Sequence, residues 1–339
     1  MSDAPADPLS RLLAEKGVLL ADGATGTNLF DRGLVSGEAP ELWNEAEPDK
    51  IRELHRGFVE AGADIILTNS FGGTRQRLKL HNAQERVHAI NKRAAELARE
   101  VADGAGRKVI VAGSVGPTGE LLAPLGALTY EEAIEAFAEQ MNGLKDGGVD
   151  VLWIETMSSA DEIRAAVEAA GRVGMPFVFT ASFDTAGRTM MGLPPSALHG
   201  VARDMTAQPV AIGANCGVGA SDLLSSILDM NAANPAAVLI AKANCGIPVI
   251  QGEKVVYSGS PETMSRYACL AIDAGARIVG GCCGTGCDHL AAMRKAIDGH
   301  QRGERPTIET IEAAIGAMIN SPAANDAAPR RERTGRRRA

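Results

Sequence analysis

Between residues 17 and 290, short runs of consecutive apolar residues alternate with longer stretches in which apolar positions return every three or four residues. The runs are GVLLADGA (17–24), ADIILTNS (63–70), KVIVAGSVG (108–116), DVLWIETM (150–157), PFVFTASF (176–183), AIGANCG (211–217), AVLIAKANCG (237–246) and RIVGGCCG (277–284). Continuous apolar character, rather than strict alternation, predicts parallel strands buried on both faces. Between them, DKIRELHRGFVEAGA, TYEEAIEAFAEQMNGLKDGG and SADEIRAAVEAAGRVG carry the helical period. Ser159, followed by Asp161 and Glu162, predicts a capped helix start. Eight β–α units in this span predict an α/β fold of the (β/α)8 TIM-barrel type, ahead of an open doubly wound sheet. The expected organisation is an N-terminal extension over 1–16, one barrel over 17–320, and a disordered basic tail over 321–339.

Polar and thiol groups fall where each run ends. Asp22, Thr68–Asn69–Ser70, Ser114, Glu155, Ser182, Asn215–Cys216, Asn244–Cys245 and Cys282–Cys283 would all stand on the C-terminal rim, the catalytic face of such barrels. The densest cluster is VGGCCGTGCDHL (279–290). A disulfide between adjacent Cys282 and Cys283 would close a strained ring. A glycine-flanked loop, with Gly280, Gly281 and Gly284, lets both sulfurs turn toward one metal ion. A third thiol would come from one of the two NCG motifs, Cys216 or Cys245, and spacing alone leaves both open. Three thiolates favour zinc with its fourth tetrahedral position free. Cys287 is expected in the first turn of the last helix, and Cys269 on a helix face in the core. His55, His81 and His289 lie on helical stretches without a partner at ligand spacing, so they are expected to be solvated or capping. RLKLH (77–81) is expected on a helix surface.

Charge narrows the ligand class. Formal net charge is −8, but the six arginines after Ser321, against Asp326 and Glu332, leave −12 for the rest. An acidic body argues against nucleic acid, and the tail lacks any apolar periodicity. No apolar run approaches the roughly 18–20 residues of a membrane span. The N-terminus MSDAPADPLS has neither a basic nor an apolar export segment, which gives a cytoplasmic expectation. Six cysteines in such a chain point to metal or catalysis before disulfides.

The set LADGATGT, ADIILTNSFGGTRQRL, GSVGPTGELLAPLG, ETM, GANCG and GGCCGT resembles the homocysteine S-methyltransferase family, with motifs from about residue 17 to 290. Within it the resemblance is to the homocysteine-binding module of cobalamin-dependent methionine synthase, then to betaine–homocysteine methyltransferases. The resemblance implies Zn2+ held by Cys216, Cys282 and Cys283, which decides between the two NCG cysteines. It implies that homocysteine is held by Asp22 and Glu155 at its ammonium. The glycine-rich DGATGT (22–27), with Gly23 and Thr25, would offer backbone N–H groups to its carboxylate, and Asn215 is a further expected substrate-binding residue. Zinc would favour the thiolate of the bound substrate over the thiol. The expected product is methionine, with no side chain forming a covalent intermediate. Two donors fit. Betaine or a similar onium is favoured by Trp43 in PELWN, with Phe71 also expected on the donor side, although Gly72 after Phe71 and Thr156 after Glu155 stand where the resembled animal betaine enzyme has tyrosines. The alternative is methylcobalamin supplied by a corrinoid partner, toward which the basic tail could reach. A reading of another class, a non-catalytic barrel with a structural zinc, would need Cys245 or Cys287 as a fourth ligand.

Overall fold

The computed structural model describes residues 7–251 and 254–320. The eight expected runs become β1 (Leu19–Leu20), β2 (Ile65–Leu67), β3 (Ile110–Val115), β4 (Val151–Met157), β5 (Phe177–Ala181), β6 (Ala211–Cys216), β7 (Leu239–Ala243) and, after the hairpin strands β8 (Pro248–Gln251) and β9 (Lys254–Tyr257), β10 (Ala276–Gly281). The sheet runs β1-β10-β7-β6-β5-β4-β3-β2, parallel throughout. A bridge between Ala21 and Ile65 and the Asp64 N–H on the Leu20 carbonyl (2.6 Å) close it into a barrel.

Alternate residues of each strand serve two cores. Leu19, Ile65, Ile110, Val151, Trp153 and Ile278 fill the barrel, whereas Leu20, Ile66, Val111 and Leu152 pack outward under the helices. A helix over Pro8–Lys16, ahead of the first strand, joins the inner core through Leu9, Leu12 and Leu13, all nearly fully buried. Its Lys16 meets Asp64 at 2.6 Å, and Arg277 Nε donates to the Gly17 carbonyl at its C-terminal end. The N-terminal mouth of the barrel is thereby plugged. Ser159 caps the helix Ala160–Val173 by accepting from the Glu162 N–H, as its sequence predicts.

Two crossovers depart from a plain β–α repeat. Between β5 and β6 the only helical element among the described residues is the 3-10 turn Pro195–Gly200, which opens on Pro194 and Pro195. After β7, the antiparallel hairpin β8–β9 precedes the helix Pro261–Asp273 and brings Tyr257 back over the rim. The Arg-rich segment expected at 321–339 and residues 1–6 lie outside the described residues. No helix among the described residues is long and apolar enough to cross a membrane.

Candidate functional site

A cavity of about 430 Å3 opens at the C-terminal ends of the strands. Its floor carries Cys216, Cys282, Cys283, Glu155 and Lys242, and its wall is built by the Gly23–Thr27 segment. Cys216 ends β6, and Cys282 and Cys283 follow β10. Their three Sγ atoms lie within 4.8 Å of one another, the Cys216 and Cys283 sulfurs at 3.8 Å.

Backbone geometry turns these thiols inward. Cys216 has φ 62, a left-handed conformation that costs a non-glycine residue about 1 kcal/mol or more. Gly284 follows the pair at φ 80, and a Cβ there would stand 2.3 Å from the Tyr257 ring. Asn244 braces the two thiol loops. Its Oδ1 accepts from the Cys283 N–H (3.1 Å) and its Nδ2 donates to the Gly217 carbonyl (2.7 Å). The second NCG motif therefore contributes its asparagine, while Cys245 turns away and donates to the Gly259 carbonyl at 3.2 Å. Cys287 points behind the wall, toward Gly57. Among the described residues no fourth His, Cys, Asp or Glu joins the trio.

The thiols cannot all ionise unaided. Hydrogen bonds from Cys216 and Cys282 hold the Cys283 thiol well below its usual range, while the Cys282 and Cys283 neighbours push the Cys216 thiol far above its own. A soft cation among them would relieve that competition, because thiolates are its preferred donors. Three sulfurs, no fourth ligand among the described residues and a strained inward-facing backbone fit a zinc ion with one open position.

The expected substrate residues divide. Gly23 and Thr25 line the cavity, and Gly23 must be glycine because a Cβ would stand 2.4 Å from the Thr285 carbonyl oxygen. Glu155 also lines it, accepting from Ser114 Oγ at 2.5 Å, and burial pushes its carboxyl up to about 7 against the pull of Lys242. Asp22 and Asn215 do not line it. Asp22 lies fully buried behind the floor, its Oδ1 on Lys242 Nζ (2.7 Å) and its Oδ2 on the Leu67 N–H (2.7 Å). A direct contact to a substrate ammonium would compete with both. Asn215 accepts from the Thr156 N–H (2.8 Å) and Thr180 Oγ1 (2.6 Å), so it holds the turn beside Glu155, where Thr156 has φ 61.

On the donor side Phe71 stays in the wall, 38% exposed. Trp43 does not. It is 8% exposed within the outer core, with Lys50 Nζ 4.5 Å from its ring centroid, so its indole packs against the helices instead of facing the cavity. His55 also departs from expectation. It is fully buried with neither ring nitrogen hydrogen-bonded, and burial lowers it to about 4. His289 caps its helix, accepting from the Gly286 N–H at 3.1 Å. Arg77 and His81, expected on a helix surface, line the cavity mouth with Glu41, whose carboxylate accepts from the Gly72 N–H at 2.6 Å.

Lys242 is the floor residue the sequence pattern passed over. A lysine inside an otherwise apolar parallel-strand run was the available signal, since such a position is buried and needs a partner.

Residues 19–297 match the family model described as homocysteine S-methyltransferase. Methionine synthase of Mycobacterium leprae (strain TN) is 30% identical over 335 residues, which cover 91% of this chain and 27% of that protein. Methionine synthase of Mycobacterium tuberculosis (strain ATCC 25618 / H37Rv) is 30% identical over 325 residues, 88% of this chain and 26% of that protein. The chain thus spans about a quarter of the length of these curated relatives. Among solved structures, the metallated form of the homocysteine methyltransferase MmuM from Escherichia coli superposes with a TM-score of 0.68 at 27% identity, covering 85% of this chain and 99% of that one. A methyltransferase from Methanosarcina mazei shares the fold, with a TM-score of 0.53 at 16% identity.

Proposed function

The chain belongs to the homocysteine S-methyltransferase family, and on that premise we propose that it transfers a methyl group from a small onium donor to homocysteine, using zinc held by Cys216, Cys282 and Cys283. The observation that carries this reading is the open trio of thiols on the floor of a cavity large enough for an amino acid and a small donor together. The metallated MmuM structure, which the chain covers almost end to end, supports a metal in a homocysteine methyltransferase barrel of this kind.

Cys216, Cys282 and Cys283 would hold the zinc ion, which when bound would supply Lewis acidity and so lower the pKa of the substrate thiol. The protein does the rest. Glu155 offers a carboxylate to the substrate ammonium, and Ser114 fixes that carboxylate's orientation. Asn215 and Asn244 hold the strand ends so that the thiols need no rearrangement. In the transfer, the substrate sulfur forms a new S–C bond with its lone pair as the bond between methyl carbon and onium centre breaks. The thiol proton goes to solvent, the donor leaves as a neutral amine or thioether, and methionine is formed.

The onium donor is supported by the cavity mouth, where Phe30 and Phe71 present ring surface and Glu38 an exposed acidic group. Trp43, packed in the helix layer, faces away from that mouth. Methylcobalamin from a corrinoid partner is the second reading, supported by the 30% identity to the mycobacterial methionine synthases. A structural zinc site would need a fourth protein ligand, and the described residues provide none. The test is a donor screen with zinc-loaded protein and homocysteine, following methionine by mass. Methionine from betaine or a sulfonium alone supports the onium reading. Turnover only with methylcobalamin or a corrinoid protein decides for the second, and no methionine with any donor sinks both.

A further inference from the structure

A second cavity, of about 780 Å3, lies at the other end of the barrel from the thiols. It covers the N-terminal ends of four neighbouring strands, β10, β1, β2 and β3. Five cations line it: Lys16, Arg107, Arg277, Arg294 and Arg302. Only two carboxylates of the lining, Asp64 and Asp298, stand against them. His300 also lines it, and its Nε2 lies 2.8 Å from Asp273 Oδ1. A surplus of positive charge gathered in one cavity, in a chain of formal net charge −8, calls for an anion.

Pairing inside the cavity is incomplete. Asp64, 1% exposed, accepts from Lys16 Nζ at 2.6 Å, from Arg294 Nη1 at 3.1 Å and from the Leu20 N–H at 2.9 Å. Arg107 Nη1 stays 3.9 Å from it. Arg294 also reaches Asp298, yet its Nε is buried without a hydrogen-bond partner among the described residues. Main-chain carbonyls hold two of the other guanidinium groups. Arg107 Nη2 donates to the Val59 and Ala63 carbonyls, and Arg277 donates through Nε to Gly17 and through Nη2 to Leu13. Carbonyls orient a guanidinium without neutralising it. Arg277 and Arg302 form no ion pair among the described residues, and both reach solvent. Arg277 is thus a fixed fork with N–H donors to spare, and such forks bind oxyanions through paired hydrogen bonds.

The remaining lining describes the other end of the ligand. Val18, Ile272, Ala276 and Ile297 form an apolar wall beside the cations. The cavity also falls within the roughly 300–1,000 Å3 typical of sites for small organic molecules. We propose that this N-terminal cavity binds a phosphomonoester, its phosphate among the cations with open donors, Arg277 and Arg302 foremost, and its organic body against the apolar wall. The ligand would join the helix Pro8–Lys16 to the start of β10 and to the segment after the last barrel helix, Cys287–Gly299. Binding would therefore stabilise the plugged mouth. This site is separate from the thiol cavity and does not depend on the methyl-transfer reading.

The test uses the full chain with AMP, adenosine and inorganic phosphate as probes, read by calorimetry and by Tm. AMP should bind at least about 10-fold more tightly than adenosine, the worth of one charge-assisted hydrogen bond. It should raise Tm, since it binds the folded state alone, and its affinity should fall with added salt. Inorganic phosphate should compete with AMP and bind more weakly. Arg302→Gln and Arg277→Gln should each weaken AMP about 10-fold. Arg277 also tethers the plug helix, whereas Arg302 has no described partner, so Arg302→Gln should keep the ligand-free Tm and tests the site without a folding defect. Phosphate binding as tightly as AMP would overturn the ester and leave the free ion as ligand. AMP binding unchanged in both variants would put the anion elsewhere, on the arginines after Ser321 for instance, and overturn the site. Adenosine matching AMP, or no binding of either phosphate-bearing probe, would overturn it as well.

Discussion

Cys216 occupies left-handed backbone that a cysteine does not choose, and only a reason to aim its sulfur inward accounts for it. Cys216→Ser should accordingly leave the protein folded while its zinc content, read by mass spectrometry of the native protein, falls from about one to near zero. Cys245→Ser should keep its zinc, since that thiol faces the Gly259 carbonyl instead. Glu155→Gln should keep the metal and weaken homocysteine binding about 10- to 100-fold by calorimetry, the loss of one charge-assisted bond. His55 gives a pH signature. Its folded pKa of about 4 lies below the ordinary 6.5, so the unfolded chain binds more protons between those values. The stability it permits is fully present above pH 6.5 and is lost as pH falls toward 4. Between pH 7 and 5 the loss is about 2 kcal/mol from this residue. Denaturant titrations of His55→Leu at both pH values should show that acid-limb loss removed; an unchanged limb would mean the ring is not buried and neutral.

The helix Pro8–Lys16 lies ahead of the barrel in sequence but inside it energetically. Leu9 and Leu13 share one buried cluster with strand residues such as Leu19 and Ile278, so truncating either opens a cavity in the inner core. Leu9→Ala or Leu13→Ala should each cost about 2–5 kcal/mol in urea unfolding, with the denaturant slope unchanged. A cost below about 1 kcal/mol would show that the plug is dispensable. The hairpin β8–β9 is the other element that local pattern did not announce. It lies between a strand and its crossover helix, and its register is held by cross-strand pairing such as Pro248 to Tyr257.

Across the whole molecule, the thiols join strand ends separated by β7, so a shared ion ties β6 to β10 around the rim. Stripping zinc with a chelator should lower Tm reversibly, by the equivalent of about 4 kcal/mol when free zinc had stood at a thousand times its Kd. A Tm indifferent to zinc would argue against a shared site. The barrel itself was legible in the chain because parallel strands buried on both faces leave uninterrupted apolar runs, and each run's last residues must then reach the rim. That local rule places Cys216, Cys282, Cys283 and Glu155 on one face, where the cavity brings them together. It could not say where Asp22 and Trp43 would point, because a strand end or a short helical turn leaves the direction of a side chain open. Long-range packing made those choices. Asp22 meets a lysine 220 residues away, Trp43 is drawn into the helix layer under Lys50, and Asn244 takes the place beside the thiols that Cys245 could have had. Hydrophobic periodicity is a property of neighbours in sequence, and so it determines elements. The pairing of buried charges and polar groups depends on which elements meet, and that was decided only when the barrel closed.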